Sequence, residues 1–316
     1  MQVIDTREMS RIDWLKSRQR GIGGSDVAAV LGLSKYKTPL DVYNEKIADE
    51  PVDNPITPRM EAGTRLEDTV AKWWADENQF QIQKDNKIRI HDQLPFLLAN
   101  IDRLILSSGN GRNTGVLEVK CTNQWAFKTW EDDGLPLDFY SQIQHYFNVT
   151  GYDWGAVAVL IGGWNLKSID VVPDPEFIEM MTKRLRVFWD NHVVPRVPPE
   201  PTTDEEIKQL YPASVEGVIV EATDDTVDLI KQIRNVEASR KEFEEKEKAL
   251  KVQLKAVIGE AERLTFLEQT LATYKSTKPV SSFDKKHFGV DHPDLLDEYT
   301  IEKPGYRRLL IKDIPV

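Results

Sequence analysis

Two apolar runs near the middle of the chain set the pattern. Residues 96–106 are hydrophobic and punctured by one acid, Asp102, while residues 115–121 alternate through Leu117, Glu118, Val119 and Lys120. Side chains two apart on a strand point to one face, so Glu118 and Lys120 converge. Residues 107–115, Ser-Ser-Gly-Asn-Gly-Arg-Asn-Thr-Gly, are dense in turn formers. The two runs are therefore expected to pair as antiparallel neighbours, with Asp102 beside Glu118.

Helical spacing governs other segments. Leu66, Val70, Trp73 and Trp74 fit one helix face, and a helix is expected from about Asp138 to Thr150. The continuous apolar run 155–161 suits a buried strand. A further helix follows Pro175, with Phe177, Met180, Met181, Leu185 and Phe188 at i, i+3, i+4 spacing. Residues 193–201 hold four prolines and mark a stiff boundary, so a core domain is expected over 1–200 and an accessory region over 201–316.

Within that region Leu229, Val236, Phe243, Leu250 and Val257 recur every seven residues, joined by Ile233 and Leu254, with Arg240 and Glu247 interrupting the second seam. This predicts a long amphipathic helix over about 224–258, either packed on its own domain or serving oligomerisation or partner docking. After Gly259, residues 264–266 and 271–274 read as a small hairpin.

Composition is that of a soluble protein, 40% hydrophobic and 29% charged. No 18-residue apolar stretch is present, so no membrane span is expected. The amino terminus carries no signal pattern, and Cys121 is the single cysteine. An internal disulfide and a cysteine-ligated iron–sulfur cluster are thereby excluded, and a cytoplasmic setting is expected. The formal charge of −11 is spread evenly, −6 over residues 1–200 and −5 over 201–316. It argues against a broad non-specific nucleic-acid binder, since such binding is driven by clustered Lys and Arg. Any DNA contact must be local, around Arg18, Arg20, Lys120 and bound metal.

Asp102, Glu118 and Lys120 contain the parts of a metal-dependent phosphodiesterase. A hard cation such as Mg²⁺ takes one or two carboxylates plus substrate oxygens, and a nearby ammonium orients water or neutralises charge. An isolated Glu-x-Lys also fits a solvated strand face, but an acid inside an apolar strand needs a partner. Near the amino terminus, Gly21, Gly23 and Gly24 lead through Ser25 and Asp26 into an apolar helix start, flanked by Arg18 and Arg20. That segment reads either as an anion-binding loop or as an ordinary helix cap supplied by Ser25 or Asp26.

The run from Trp14 to Gly32, with Gly63-Thr64-Arg65-Leu66-Glu67, Ala99-Asn100-Ile101-Asp102, Glu118-Val119-Lys120 and Tyr140-Ser141-Gln142-Ile143-Gln144-His145-Tyr146, resembles the YqaJ-type viral recombinases. These are relatives of phage lambda exonuclease within the PD-(D/E)XK nuclease superfamily. The five motifs keep the family order over residues 14–151. The resemblance implies an α/β fold, a restriction-endonuclease-like core followed by a mainly helical accessory region. By resemblance, Arg18 matches the arginine that grips the terminal 5′ phosphate, Ser25 a phosphate-contacting serine, Gln142 a glutamine holding phosphate or water, and Glu67 the helix glutamate near the metal. Asn100 stands where lambda-type proteins place a serine, and Arg20 has no clear counterpart.

The implied activity is Mg²⁺-dependent 5′ to 3′ exonucleolysis of linear double-stranded DNA, with Mn²⁺ as a substitute ion, leaving 3′ single strands for phage-type recombination. Asp102, Glu118 and the backbone carbonyl of Val119 would hold metal, Lys120 would position water, and Glu67 would complete a second metal site or orient that water. Implied partners are linear DNA ends, a single-strand annealing protein and further copies of the chain in a trimeric ring, within a bacterial host and of phage or prophage origin. Two alternatives stand beside this: a structure-specific or single-strand nuclease on the same core, and a catalytically silent DNA-end-binding scaffold.

Overall fold

The computed structural model describes residues 2–51, 53, 55–106, 112–302 and 305–312. The chain divides into two compact units, Met1–Ile207 and Lys208–Val316.

The first unit is built on a five-stranded mixed sheet ordered β2-β5-β6-β7-β8, from β2 (Ile82–Lys84), β5 (Arg103–Ile105), β6 (Gly115–Thr122), β7 (Gly155–Ile161) and β8 (Asn165–Val171). Only β6 and β7 run parallel, pairing Glu118 with Val157 and Lys120 with Val159. The crossover between them carries α5 (Gln124–Asp133) and α6 (Leu137–Thr150). A smaller antiparallel sheet orders β1 (Gln2–Asp5), β3 (Lys87–Ile90) and β4 (Leu98–Ala99). Against these pack α1 (Arg11–Gln19), α2 (Gly24–Val30), α3 (Pro39–Ile47), α4 (Pro58–Asn78) and α7 (Pro175–Phe188), the last running into a π-helical turn, Trp189–Val193.

Period-two alternation decides which residues reach the site. Leu117 of β6 and Ala156, Ala158 and Leu160 of β7 join Val70, Ala71, Trp74 and Ala75 of α4 in one core, with Val119 and Cys121 packed at its margin. The intervening Glu118 and Lys120 therefore face the other side, where α6 lies. All seven residues of β7 are buried, as a strand covered on both faces requires. Helix α4 starts cleanly because Thr57 accepts from the Met60 N–H and Pro58 occupies the first turn. Helix α6 ends at Gly151, whose φ of 74° suits glycine.

The run 96–106 is not one strand. Leu98 and Ala99 pair with β3 in the small sheet, whereas Arg103 to Ile105 pair antiparallel with Leu117 to Gly115 in the large one. The chain changes sheets at Asn100, Ile101 and Asp102, which leaves Asp102 at the entrance of β5 with its carboxylate free to turn onto β6. The antiparallel pairing of the flanking runs is as expected; the central part of the turn, residues 107–111, lies outside the described residues.

The chain passes between the units within α8 (Asp204–Leu210). The second unit contains α9 (Asp224–Ile258), the antiparallel hairpin of β9 (Arg263–Phe266) and β10 (Gln269–Thr273), and the short helices α10 (Lys285–Asp291) and α11 (Pro293–Glu298). Thr223 caps α9, which stops at Gly259. The heptad positions Leu229, Val236, Phe243, Leu250 and Val257 are between 54% and 73% exposed, so this face of α9 is not spent on a core.

Candidate active site

Three segments of unrelated sequence position meet over the α6 face of β6. Asp102 Oδ2 accepts the Val119 N–H at 2.9 Å, which anchors the acid to the strand that carries its partners. Glu118 Oε1 accepts from Lys120 Nζ at 2.6 Å and from Gln142 Nε2 at 2.8 Å, while Gln142 Oε1 accepts from Lys120 at 3.0 Å. Gln142 Nε2 also donates to the Tyr146 hydroxyl at 2.7 Å, one helical turn further on. The second carboxylate oxygen of Glu118, Oε2, is buried without a hydrogen-bond partner.

Electrostatics follow from this crowding. Burial, then the charges of Glu118 and Glu67, push the Asp102 carboxyl well above the usual carboxylate range, despite Lys120 and the Val119 N–H. Burial opposes the charged form of Lys120, but Glu118 and Asp102 outweigh it and hold the ammonium protonated above its ordinary value. Burial, with Glu118 and Asp102, likewise keeps the Tyr146 phenol neutral. Two acids thus share one ammonium, an arrangement short of positive charge.

Glu67 reaches this cluster through a residue that the sequence reading passed over. Arg103, with a side chain only 3% exposed, donates Nη1 to Glu67 Oε1 at 2.6 Å and to the Asp102 carbonyl at 2.6 Å, and Nη2 to Asp68 at 3.2 Å. It ties α4 to the backbone of Asp102. Glu61 instead pairs with Arg65 on an exposed helix face. The signal was available: an arginine inside an otherwise apolar strand must be paired. Tyr146 was equally legible as the i+4 neighbour of Gln142 on a helix.

Arg18 and Ser25 also come together. Arg18 Nη2 donates to Ser25 Oγ at 2.7 Å, and its guanidinium lies 4.8 Å from the Trp14 ring centroid. Neither Ser25 nor Asp26 caps α2; Gly23 is the N-cap, and Asp26 reaches back to accept the Gly23 N–H at 3.1 Å. Gln142 stands with Glu118 and Lys120 rather than on the Arg18–Ser25 pair, and Asn100 turns its amide to the Lys87 carbonyl at 3.4 Å. The exposed Arg20 makes no part of the cluster.

The two groups are joined across Gly24. A Cβ there would lie 2.6 Å from the Tyr146 ring and 3.1 Å from Gln142 Cγ, so only glycine lets α2 close onto α6. Gly24→Val is expected to destabilise the protein by roughly 1 to 3 kcal/mol through overpacking. Thermal unfolding checks this; an unchanged melting temperature would show that α2 and α6 do not need this closeness. His145, fully buried, ties the same helix to β4 by donating Nε2 to the Leu98 carbonyl at 2.9 Å, and burial pushes its imidazole down to about 4, so it is neutral.

The donor set suits a hard divalent cation. The orphaned Glu118 Oε2, the Asp102 carboxylate and the Val119 carbonyl are oxygen donors of the kind such an ion takes, and an ion would supply the positive charge that the cluster lacks. Among the described residues, no group of three or more His, Cys, Asp or Glu could hold an ion by side chains alone. Mg²⁺ does not require one, because it commonly keeps waters and substrate oxygens in its shell.

The mixed sheet thus gathers two acids and a lysine over the face that α6 covers. The alkaline exonuclease LHK-Exo of Laribacter hongkongensis, solved in complex with dAMP, shares this fold, with a TM-score of 0.50 and 18% identity over 62% of this chain and 96% of that one. The chain belongs to the YqaJ-like viral recombinase family. The model of the YqaJ-like viral recombinase domain matches residues 13–153, and the uncharacterized protein YqaJ of Bacillus subtilis (strain 168) is 31% identical over 315 residues, covering 97% of this chain and 96% of the relative. No helix among the described residues is long and apolar enough to cross a membrane.

Proposed function

We propose that this chain is a Mg²⁺-dependent deoxyribonuclease that degrades linear double-stranded DNA from 5′ to 3′, leaving 3′ single strands for a single-strand annealing protein. The observation that carries the reading is the pairing of Glu118 and Asp102: one Glu118 oxygen is fixed by Lys120 and Gln142, and the other is buried and unpartnered beside a second carboxylate. Membership of a viral recombinase family and the fold of an exonuclease solved with a nucleoside monophosphate support it. The nuclease unit is assigned to residues 1–200 and the accessory unit to 201–316, with assembly as a trimeric ring and action in the host cytoplasm.

In this mechanism Asp102, Glu118 and the Val119 carbonyl would hold the ion, and Glu67 would complete a second site or orient water. An ion bound there would supply Lewis-acid chemistry, polarising the scissile phosphate and lowering the pKa of the attacking water, a role that Mg²⁺ or Mn²⁺ could fill. Lys120, pinned between Glu118 and Gln142, holds that water and offsets charge as it builds on the phosphate. Water adds to phosphorus, the P–O3′ bond breaks, and the terminal nucleotide leaves with its own 5′ phosphate. The scissile phosphate remains on the next nucleotide and regenerates the same end. Arg18 and Ser25 would grip that terminal phosphate, and Gln142, held by Glu118 and Lys120, would help to hold phosphate or water on their side of the site.

Arg18 touches only Ser25 and the Trp14 face at its guanidinium among the contacts described above, so it can turn to an anion at little cost. Arg18→Ala should slow digestion of 5′-phosphorylated duplexes by roughly 10- to 100-fold, the worth of one charge-assisted contact, and hardly affect 5′-hydroxyl ends. Initial rates on the two ends test this. Equal losses on both would mean that Arg18 serves folding or general backbone binding.

A further inference from the structure

The pair that would grip the phosphate is joined by a glycine-rich turn. Arg18 lies in the last turn of α1 and Ser25 in the first turn of α2, with Gly21, Ile22, Gly23 and Gly24 between them. Ile22 pins the middle of that turn, its N–H donating to the Phe96 carbonyl at 2.6 Å and its carbonyl accepting the Leu98 N–H at 2.9 Å, so the two ends, at Arg18 and at Gly23, must be fixed separately. Asp26 provides the means. Its carboxylate, 1% exposed, receives Lys37 Nζ at 2.8 Å on Oδ1, and Lys46 Nζ at 2.7 Å and the Gly23 N–H at 3.1 Å on Oδ2. The Lys46 ammonium, 4% exposed in its side chain, also donates to the Arg18 carbonyl at 3.1 Å. One cation on α3 thereby ties the backbone of Arg18 to the residue next to Ser25. Gln19 closes the frame by donating to the Glu45 and Ala48 carbonyls, each at 3.0 Å.

Buried ion pairs are poor sources of stability, because desolvation offsets much of their attraction, so a well-packed apolar cluster would serve packing at least as well. What ions add here is directional geometry at the two ends of a glycine-rich turn. We infer that Asp26, acting through Lys46, is a positioning residue for the terminal 5′ phosphate, holding Arg18 and Ser25 at the separation that accepts it; this rests on the pocket reading above.

The test uses the full-length chain with Asp26→Asn and Lys46→Gln, beside wild type and Arg18→Ala, on duplexes with 5′-phosphate and 5′-hydroxyl ends. For each hub variant the expected result is a KM on phosphorylated ends raised about tenfold with kcat nearly unchanged, and hydroxyl ends little affected. Inhibition by dAMP should weaken by the same factor, and inhibition by deoxyadenosine should not change. If Asp26→Asn does not fold by circular dichroism, Lys46→Gln decides. Equal losses on both ends, full retention of the phosphate preference, or failure of both variants to fold overturns the inference. Should Arg18→Ala lose the preference while the hub variants keep it, the pocket stands and only the hub falls. Should wild type itself ignore the phosphate, the pocket falls and the hub with it.

Discussion

Asp102→Asn should cut DNA cleavage by about 10³-fold and at the same time raise the thermal stability of the metal-free protein at neutral pH. The first effect follows from the proposed mechanism, in which Asp102 would be a charged oxygen ligand at the reacting phosphate. The second follows from the site's excess of negative charge. Burial and the neighbouring Glu118 and Glu67 raise the folded-state pKa of Asp102 above its unfolded value. A carboxyl raised in this way favours folding below the unfolded pKa, and that contribution is lost as pH rises through the folded value. The ionised acid is therefore a burden at neutral pH, and asparagine, of nearly the same shape, removes it. The gain in melting temperature should shrink as pH falls into the ordinary carboxylate range. Thermal melts of both proteins in chelator across that range check the sign; a variant that melts lower than wild type at neutral pH would contradict the electrostatic account.

Lys120→Met is expected to cause a comparable loss of cleavage, about 10²- to 10³-fold, but with the opposite effect on stability. The ammonium bridges Glu118 and Gln142 and is the cation shared by the two acids. On the proposed mechanism its removal takes away the group that would hold water and offset developing charge. It also leaves Glu118, itself 4% exposed, without its ion-pair partner, which typically costs roughly 3 to 5 kcal/mol. Chemical denaturation and initial rates, measured on one preparation, separate the two effects. A Lys120→Met protein as stable as wild type would mean that the acids are not compensated by this lysine.

The extent to which the sequence disclosed this arrangement can be judged from particular residues. Strand alternation placed Glu118 and Lys120 on one face, and the structure puts them 2.6 Å apart at their charged ends. The buried run 155–161 and the helices before and after it were likewise legible, because period and length alone define them. The change of sheet inside residues 96–106 was not, since hydrophobicity reports burial and says nothing of which strand receives the hydrogen bonds. Arg103 and Lys46 were missed for a related reason. Their partners, Glu67 and Asp26, are distant in sequence, and an ion pair formed across elements leaves no local pattern. Asp26 was weighed only as a local cap, yet its charge is matched by lysines 11 and 20 residues away. The seven-residue repeat marks the helix Asp224–Ile258, but a repeat alone does not say what covers its apolar positions, which are exposed in the structure.

The central claim is that Asp102, Glu118 and Lys120 form a metal-dependent centre that consumes DNA from its 5′ ends. The most direct measurement is digestion of a linear duplex, labelled separately at each 5′ and 3′ terminus, with Mg²⁺ or with chelator, beside a covalently closed circle and beside Asp102→Asn. The account predicts release of 5′ mononucleotides from the 5′ termini only with Mg²⁺, survival of a 3′ single strand, an intact circle and near-silence of the variant. Cleavage of the circle, loss of label from the 3′ termini first, digestion in chelator, or full activity of Asp102→Asn would contradict it.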